Sequence, residues 1–212
     1  MERTDLVEKY RPKKIDECVL RQPIMSRVQS ILKNNRLQNY LIIGPPGCGK
    51  TSLVQCIINE LDLESMWLNA PSLDDMRKRF NRFVCNHSLF NMTKVVVLDE
   101  FDLCTKTVEN ELLKPMEEFS TPTFLIVNDD KKLSSKLTSR TAELNFNIPD
   151  SEKDYMLKGY FERAKEILKS EKIVFSNDIL MSYVERYYPV FRKVINEIQY
   201  NIGEQNELLP PC

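Results

Sequence analysis

Between Gly44 and Thr51 the chain reads Gly-Pro-Pro-Gly-Cys-Gly-Lys-Thr, the spacing G-x-x-x-x-G-K-T, with Ser52 directly after it. Gly44, Gly47 and Gly49 let a backbone turn tightly and bring its N–H groups against anionic oxygens; Pro45, Pro46 and Cys48 complete the loop. In such a loop Lys50 reaches the β- and γ-phosphates of ATP, and the Thr51 hydroxyl ligates Mg²⁺. The dipole of a following helix adds to the attraction for phosphate. A second stretch, Lys94-Val-Val-Val-Leu-Asp-Glu-Phe-Asp102, runs four apolar residues into paired acids. Asp99 is placed to hold Mg²⁺ through its water shell, and Glu100 to polarise an attacking water. Phosphoryl transfer to water is the chemistry these residue types suit.

Both motifs need particular elements around them. The run Tyr40–Ile43 reads as a buried strand, and Leu53, Val54, Ile57, Ile58 and Leu61 recur as on a helix ending near Leu61. Lys94–Asp99 reads as a central parallel strand, because acids at the C-terminal edge of an open α/β sheet face its ligands. Met66–Asn69 and Thr123–Val127 are expected as further buried strands, and Glu143–Ile148 as the last one. The fold class is therefore α/β. A helix is expected at 23–35, with Pro23 in its first turn. An extended arm at 5–17 is stopped by Pro12. A helix at 105–119 contains Pro115, which predicts a kink. After Pro149 the apolar spacing is helical throughout, which divides the chain into a nucleotide-binding domain (1–149), a helical lid (150–203) and a tail (204–212) without packing of its own.

On residues 74–86, Met76, Phe80, Phe83 and Val84 share one helical face, while Lys78, Arg79 and Arg82 occupy the opposite arc with Arg77 at its edge. That basic arc reads either as a solvated surface or as a phosphate-contacting patch. The net charge of −1 places any nucleic-acid contact on a local patch, not on the overall balance. The six cysteines are scattered without a C-x-x-C pair, as expected of reduced thiols in a cytoplasmic or nuclear compartment. The single histidine, His87, excludes His-based metal sites and reads as a surface residue. No apolar run has the length of a membrane span.

With Glu8-Lys-Tyr-Arg-Pro12, Gly44–Thr51, Asp99-Glu-Phe-Asp102, Asn128 and Ser139-Arg140 in this order, the chain resembles sliding-clamp-loader ATPase subunits of the AAA+ class. The likeness is to replication factor C small subunits and to the ATPase subunit of T-even-type phage loaders, over residues 5 to about 203. The resemblance implies a P-loop AAA+ sandwich with a parallel sheet, followed by a small all-helical lid. It implies that Val7, Tyr10, Arg11 and Pro12 border adenine and ribose, that Asn69 restrains Glu100 until DNA is present, and that Asn128 senses the γ-phosphate. Arg192 would be the lid's sensor arginine. Arg140 would be an arginine finger acting on the neighbouring subunit's ATP, since a planar guanidinium matches charge on equatorial phosphoryl oxygens. Other loader subunits, a sliding clamp and primer-template DNA are the implied partners. DNA would lie against Arg77, Lys78, Arg79 and Arg82. The pair Leu89 and Phe90 is a candidate clamp anchor or a loop-packing element.

Three features depart from that family. Thr141 follows Ser139-Arg140 where the family carries cysteine, Pro115 interrupts a helix the family runs continuously, and the collar domain has no counterpart in these 212 residues. The chain is then either part of a longer protein or a subunit assembling through other contacts. Two other readings share the motifs: an ATP-gated scaffold subunit with little hydrolysis, and another AAA+ DNA remodeller such as a helicase loader. A small-molecule kinase is disfavoured by the absence of an acceptor-site signature.

Overall fold

The computed structural model describes residues 5–86, 92–119 and 121–211. His87, Leu89, Phe90 and Cys212 lie outside the described residues. Asp5 accepts from the Val7 N–H and caps a one-turn helix, α1 (Leu6–Lys9). The arm is thus helical at its start and leaves the helix at Tyr10, two residues ahead of Pro12. A 3₁₀ turn at Ile15–Glu17 and helix α2 (Gln22–Asn34) follow, the latter ending at Asn35 in the left-handed region (φ 45°).

The remaining elements of the first unit are β1 (Tyr40–Ile43), α3 (Lys50–Glu60), β2 (Glu64–Asn69), a π-helical stretch at Asp75–Phe80 running into α4 (Asn81–Cys85), β3 (Lys94–Asp99), α5 (Lys106–Glu118), β4 (Thr123–Val127), α6 (Ser135–Thr138) and β5 (Ala142–Asn145). The strands form a five-stranded sheet in the order β2-β3-β4-β1-β5. Every pairing is parallel.

The sheet is buried on both faces, which is why its interior strands read as unbroken apolar runs. Val95 and Val97 of β3 pack toward Val28, Leu53 and Ile57 of α2 and α3. Val96 and Leu98, one residue out of phase, pack toward Met76, Phe80 and Leu112 on the other side. β2 differs from its sequence reading: at the sheet edge only Leu68 of its six residues is buried. β5 is shorter than expected: its one neighbour, β1, ends at Ile43 opposite Asn145. Beyond that pairing the carbonyls of Asn145 and Asn147 accept from Arg21 Nη1 (2.8 and 2.7 Å). Pro115 is buried inside α5, and the helix continues through it to Glu118.

The second unit holds α7 (Lys153–Ser170), α8 (Asn177–Tyr187) and α9 (Phe191–Tyr200) around a core of Tyr160, Ala164, Tyr183, Val184 and Val194. Leu6 of α1 belongs to this core, so the arm packs on the lid. Arg21 joins the units through Glu152 (2.9 Å). The tail, expected to lack packing, folds back on the lid. Leu208 is buried, its N–H donates to Val174 O (2.8 Å), and the Tyr183 hydroxyl donates to Leu209 O (3.0 Å).

Leu208→Ala is expected to lower stability by about 2–4 kcal/mol through lost apolar burial and the cavity left behind. Urea unfolding measures this; an unchanged midpoint would contradict a packed tail.

Candidate nucleotide site

Parallel pairing sets the site. β1, β4 and β3 are neighbours, with Ile43 beside Val127 and Leu98 beside Leu125. The loop after β1, Asn128 after β4 and the acids ending β3 therefore emerge at one edge. Gly44 passes Phe146 so closely that a Cβ on it would sit 2.5 Å from Phe146 Cβ. Gly47 has φ 77°, a conformation costly for other residues, and a Cβ there would meet Val190 Cγ1 at 2.9 Å. Gly49 stands as the N-cap of α3, which begins at Lys50.

Lys50 is buried, and its ammonium donates to Gly44 O (2.7 Å), Pro45 O (2.9 Å) and Asn128 Oδ1 (3.1 Å). Burial holds its pKa below the ordinary lysine value, partly offset by the nearby acids Asp99 and Asp102. The ammonium is thus dehydrated and held by neutral acceptors, an arrangement that favours an incoming anion. The Thr51 hydroxyl donates to Asp99 Oδ2 (2.9 Å). Two hard oxygen donors in contact, one a carboxylate, fit Mg²⁺.

Asp99 Oδ1 accepts the Glu100 N–H (2.9 Å), and Glu100 adopts φ 52° with its side chain exposed. A non-glycine residue there carries backbone strain. The turn that follows holds it: Leu103 N–H returns to Glu100 O (3.0 Å), and Phe101 is buried. Asn69 lies in register beside Asp99 at the end of β2, and its neighbour Ala70 donates to Asp99 O (2.8 Å). No hydrogen bond joins the Asn69 and Glu100 side chains among the described residues.

A cleft opens beside the loop. Val7, Tyr10, Arg11 and Pro12 form one wall; Gly47, Cys48, Gly49 and Ser52 form the floor; Arg163, Phe191 and Arg192 close it from the lid. Arg192 N–H donates to Gly47 O (3.3 Å), so the lid touches the loop directly. Pro46 is exposed outside the cleft lining. Two lid residues absent from the sequence reading hold the arm. Glu171 accepts from Lys9 and the Tyr10 hydroxyl, and Arg163 Nη2 donates to Tyr10 O (3.4 Å). More than 150 residues of chain separate these partners (|i−j| 161 and 153), and no local pattern marks them.

Arg140 is not part of this cleft. It pairs with Glu117, donates to Lys136 O (2.6 Å), and borders a separate hollow with Asn39 and Pro122. The basic arc is also elsewhere, and less free than its sequence suggests. Arg77 pairs with Glu111 (3.2 Å), Lys78 with Asp74 (3.3 Å) and Arg79 with Asp75 (3.3 Å). Arg82 is exposed. Such exposed pairs are weak.

Residues 40–149 match the family described as ATPase family associated with various cellular activities (AAA). The chain belongs to this family. It is 31% identical over 205 residues to the sliding-clamp-loader large subunit of Escherichia phage RB69, covering 92% of this chain and 64% of that protein. The counterpart in Enterobacteria phage T4 is 29% identical, covering 91% and 63%. Human replication factor C subunit 5 is 29% identical, covering 91% and 58%. The chain thus spans about three-fifths of the length of these relatives. The RuvB Holliday junction branch migration motor of Thermotoga maritima superposes with a TM-score of 0.75 at 19% identity, covering 94% of this chain and 69% of that one, and shares the fold.

Glu171 supplies a pH-dependent latch. Its hydrogen bonds from Lys9 and then Tyr10 hold its carboxyl below the ordinary 4.5. A depressed carboxyl contributes stability above its unfolded pKa and loses it as pH falls through the folded value. The fall in thermal stability between about pH 5 and pH 3 should therefore be shallower in Glu171→Ala than in the parent chain. Parallel melting curves would sink the latch.

Proposed function

We propose that this chain is the ATP-hydrolysing subunit of a sliding-clamp loader. It uses ATP binding and hydrolysis to open a ring-shaped clamp and set it on primer-template DNA. One observation carries the reading: the Thr51–Asp99 contact, which brings the phosphate loop and the acid pair, 48 positions apart, to one point. The names of the phage and replication factor C relatives support it.

The backbone N–H groups of the Gly44–Thr51 loop and the Lys50 ammonium hold the triphosphate, and Thr51 and Asp99 hold Mg²⁺. When bound, Mg²⁺ neutralises charge on the β- and γ-phosphate oxygens. Glu100, kept at the sheet edge by its strained turn, orients and deprotonates the attacking water. Asn128, already bonded to Lys50, reports on the γ-phosphate. Arg192 transmits nucleotide state to the lid, and Val7, Tyr10, Arg11, Pro12 and Ser52 border the nucleoside. Arg140 faces away from this cleft, which suits a finger serving the next subunit's ATP. Arg77, Lys78, Arg79 and Arg82 would exchange their carboxylate partners for DNA phosphates, a sequence-independent and salt-sensitive contact. Partner subunits, a clamp and DNA place the activity in the cytoplasm or nucleus, including that of a phage-infected cell.

Glu100→Gln is expected to retain ATP binding while turnover falls by about 10²–10⁴. Unchanged turnover would indicate a nucleotide-gated scaffold instead. Arg140→Ala should lower turnover of the assembled complex, by up to roughly 10³–10⁵, and leave ATP binding by the single chain intact. A lone chain that hydrolyses ATP as fast as the assembly would exclude the finger. Affinity capture that recovers a helicase and no clamp would favour a different DNA remodeller.

A further inference from the structure

The two cysteines Cys18 and Cys56 come from distant parts of the chain and meet under the cleft. Cys18 caps the 3₁₀ turn at the foot of the arm, is half-buried, and lines the nucleotide cleft. Cys56 is fully buried in α3, on the helix that begins with Lys50. Their sulfurs are 3.8 Å apart. Among the described residues no other two cysteine sulfurs are in contact. Each thiol also meets a carbonyl of the arm: Cys18 Sγ lies 3.7 Å from Lys14 O, and Cys56 Sγ lies 3.4 Å from Pro12 O. The arm's foot is fastened to α3 next to them, where the Ile15 N–H donates to Glu60 Oε1 (2.6 Å).

We propose that Cys18 and Cys56 form a reversible redox site that closes to a disulfide and ties the arm to the phosphate-loop helix. Bond formation needs the sulfurs to approach by about 1.8 Å, from 3.8 Å to a bond of about 2.05 Å. With the foot already docked by Glu60, that approach is asked of the cysteine side chains. Cys18, which lines the cleft, is the sulfur an oxidant reaches, and the buried Cys56 is the resolving one.

The oxidant is a low-molecular-weight disulfide such as oxidised glutathione. Cys18, as its thiolate, attacks the S–S bond, forms a mixed disulfide and expels one glutathione thiolate, which takes up the proton Cys18 lost. Cys56 sulfur then attacks Cys18 sulfur and expels the second. The pair loses two electrons to the reagent, and the two cysteine protons end on the two released thiols. Closure draws Cys18 toward α3 and removes the S–H that bonds Pro12 O. Cys18 and Pro12 both line the nucleotide cleft, so the oxidised chain holds nucleotide more weakly.

The test treats the full chain with oxidised glutathione, blocks free thiols with iodoacetamide and maps peptides by mass spectrometry. A cross-linked peptide pair joining Cys18 to Cys56 is expected, reversed by dithiothreitol, absent in Cys18→Ser and retained in Cys85→Ser. Cys18 recovered only as a glutathione adduct, with Cys56 still alkylatable after denaturation, would overturn the site. A fluorescent ATP analogue should bind the cross-linked chain several-fold more weakly than the reduced chain; equal affinities would overturn the link to the cleft. Failure of the reduced chain to bind the analogue at all would instead count against the nucleotide reading, and the peptide map is independent of it.

Discussion

The hydrogen bond from the Thr51 hydroxyl to Asp99 Oδ2 is the contact on which the rest of the site is arranged. It can form because β1 and β3 run parallel on either side of β4, so both chains leave the sheet at the same edge. An antiparallel partner in either position would send the acids to the opposite end. Layered helices keep the geometry rigid: Val95 and Val97 are locked on one face and Val96 and Leu98 on the other, which leaves β3 no freedom to slip. A one-residue slip would exchange those faces and withdraw Asp99 from Thr51.

Charge placement follows from the same architecture. Lys50 is buried and satisfied by neutral oxygens, and its burial depresses its pKa. A dehydrated cation at a helix N-terminus, beside left-handed glycine backbone, is poised for an anion of high charge density. Glu100 is the opposite case. Its side chain is exposed and its backbone strained, with the strain held by the Phe101 anchor below it. Lys50 is thus fixed by packing, while the Glu100 side chain is exposed.

The parts of this arrangement that were legible in the sequence are those encoded locally. The phosphate loop, the acid-ended strand and Thr123–Val127 each carry their elements in consecutive residues, and each forms where its pattern places it. Arg192, expected from a resemblance to a family motif, touches the loop through its backbone N–H on Gly47 O. What was missed depends on contacts across long separations. The arm's attachment to Glu171 and Arg163, the Arg21 bond to the Asn145 carbonyl and the docking of Leu208 leave no periodic trace. β2 was read as buried because Met66, Trp67 and Leu68 are apolar, whereas sheet order alone makes it an edge. The basic arc shows the converse failure. Its spacing was read correctly, but Glu111 lies on another helix, and sequence proximity could not reveal that partner.

The proposed site holds one triphosphate with its metal between the Lys50–Thr51 turn and the acids Asp99 and Glu100. A crystal structure with Mg²⁺ and a nonhydrolysable ATP analogue measures it most directly. Metal density is expected beside Thr51 Oγ1 and the Asp99 carboxylate, with the terminal phosphate beside Lys50 and Asn128. Nucleotide density elsewhere on the chain, or a filled cleft in which Lys50 and Asp99 point away from the phosphates, would contradict it.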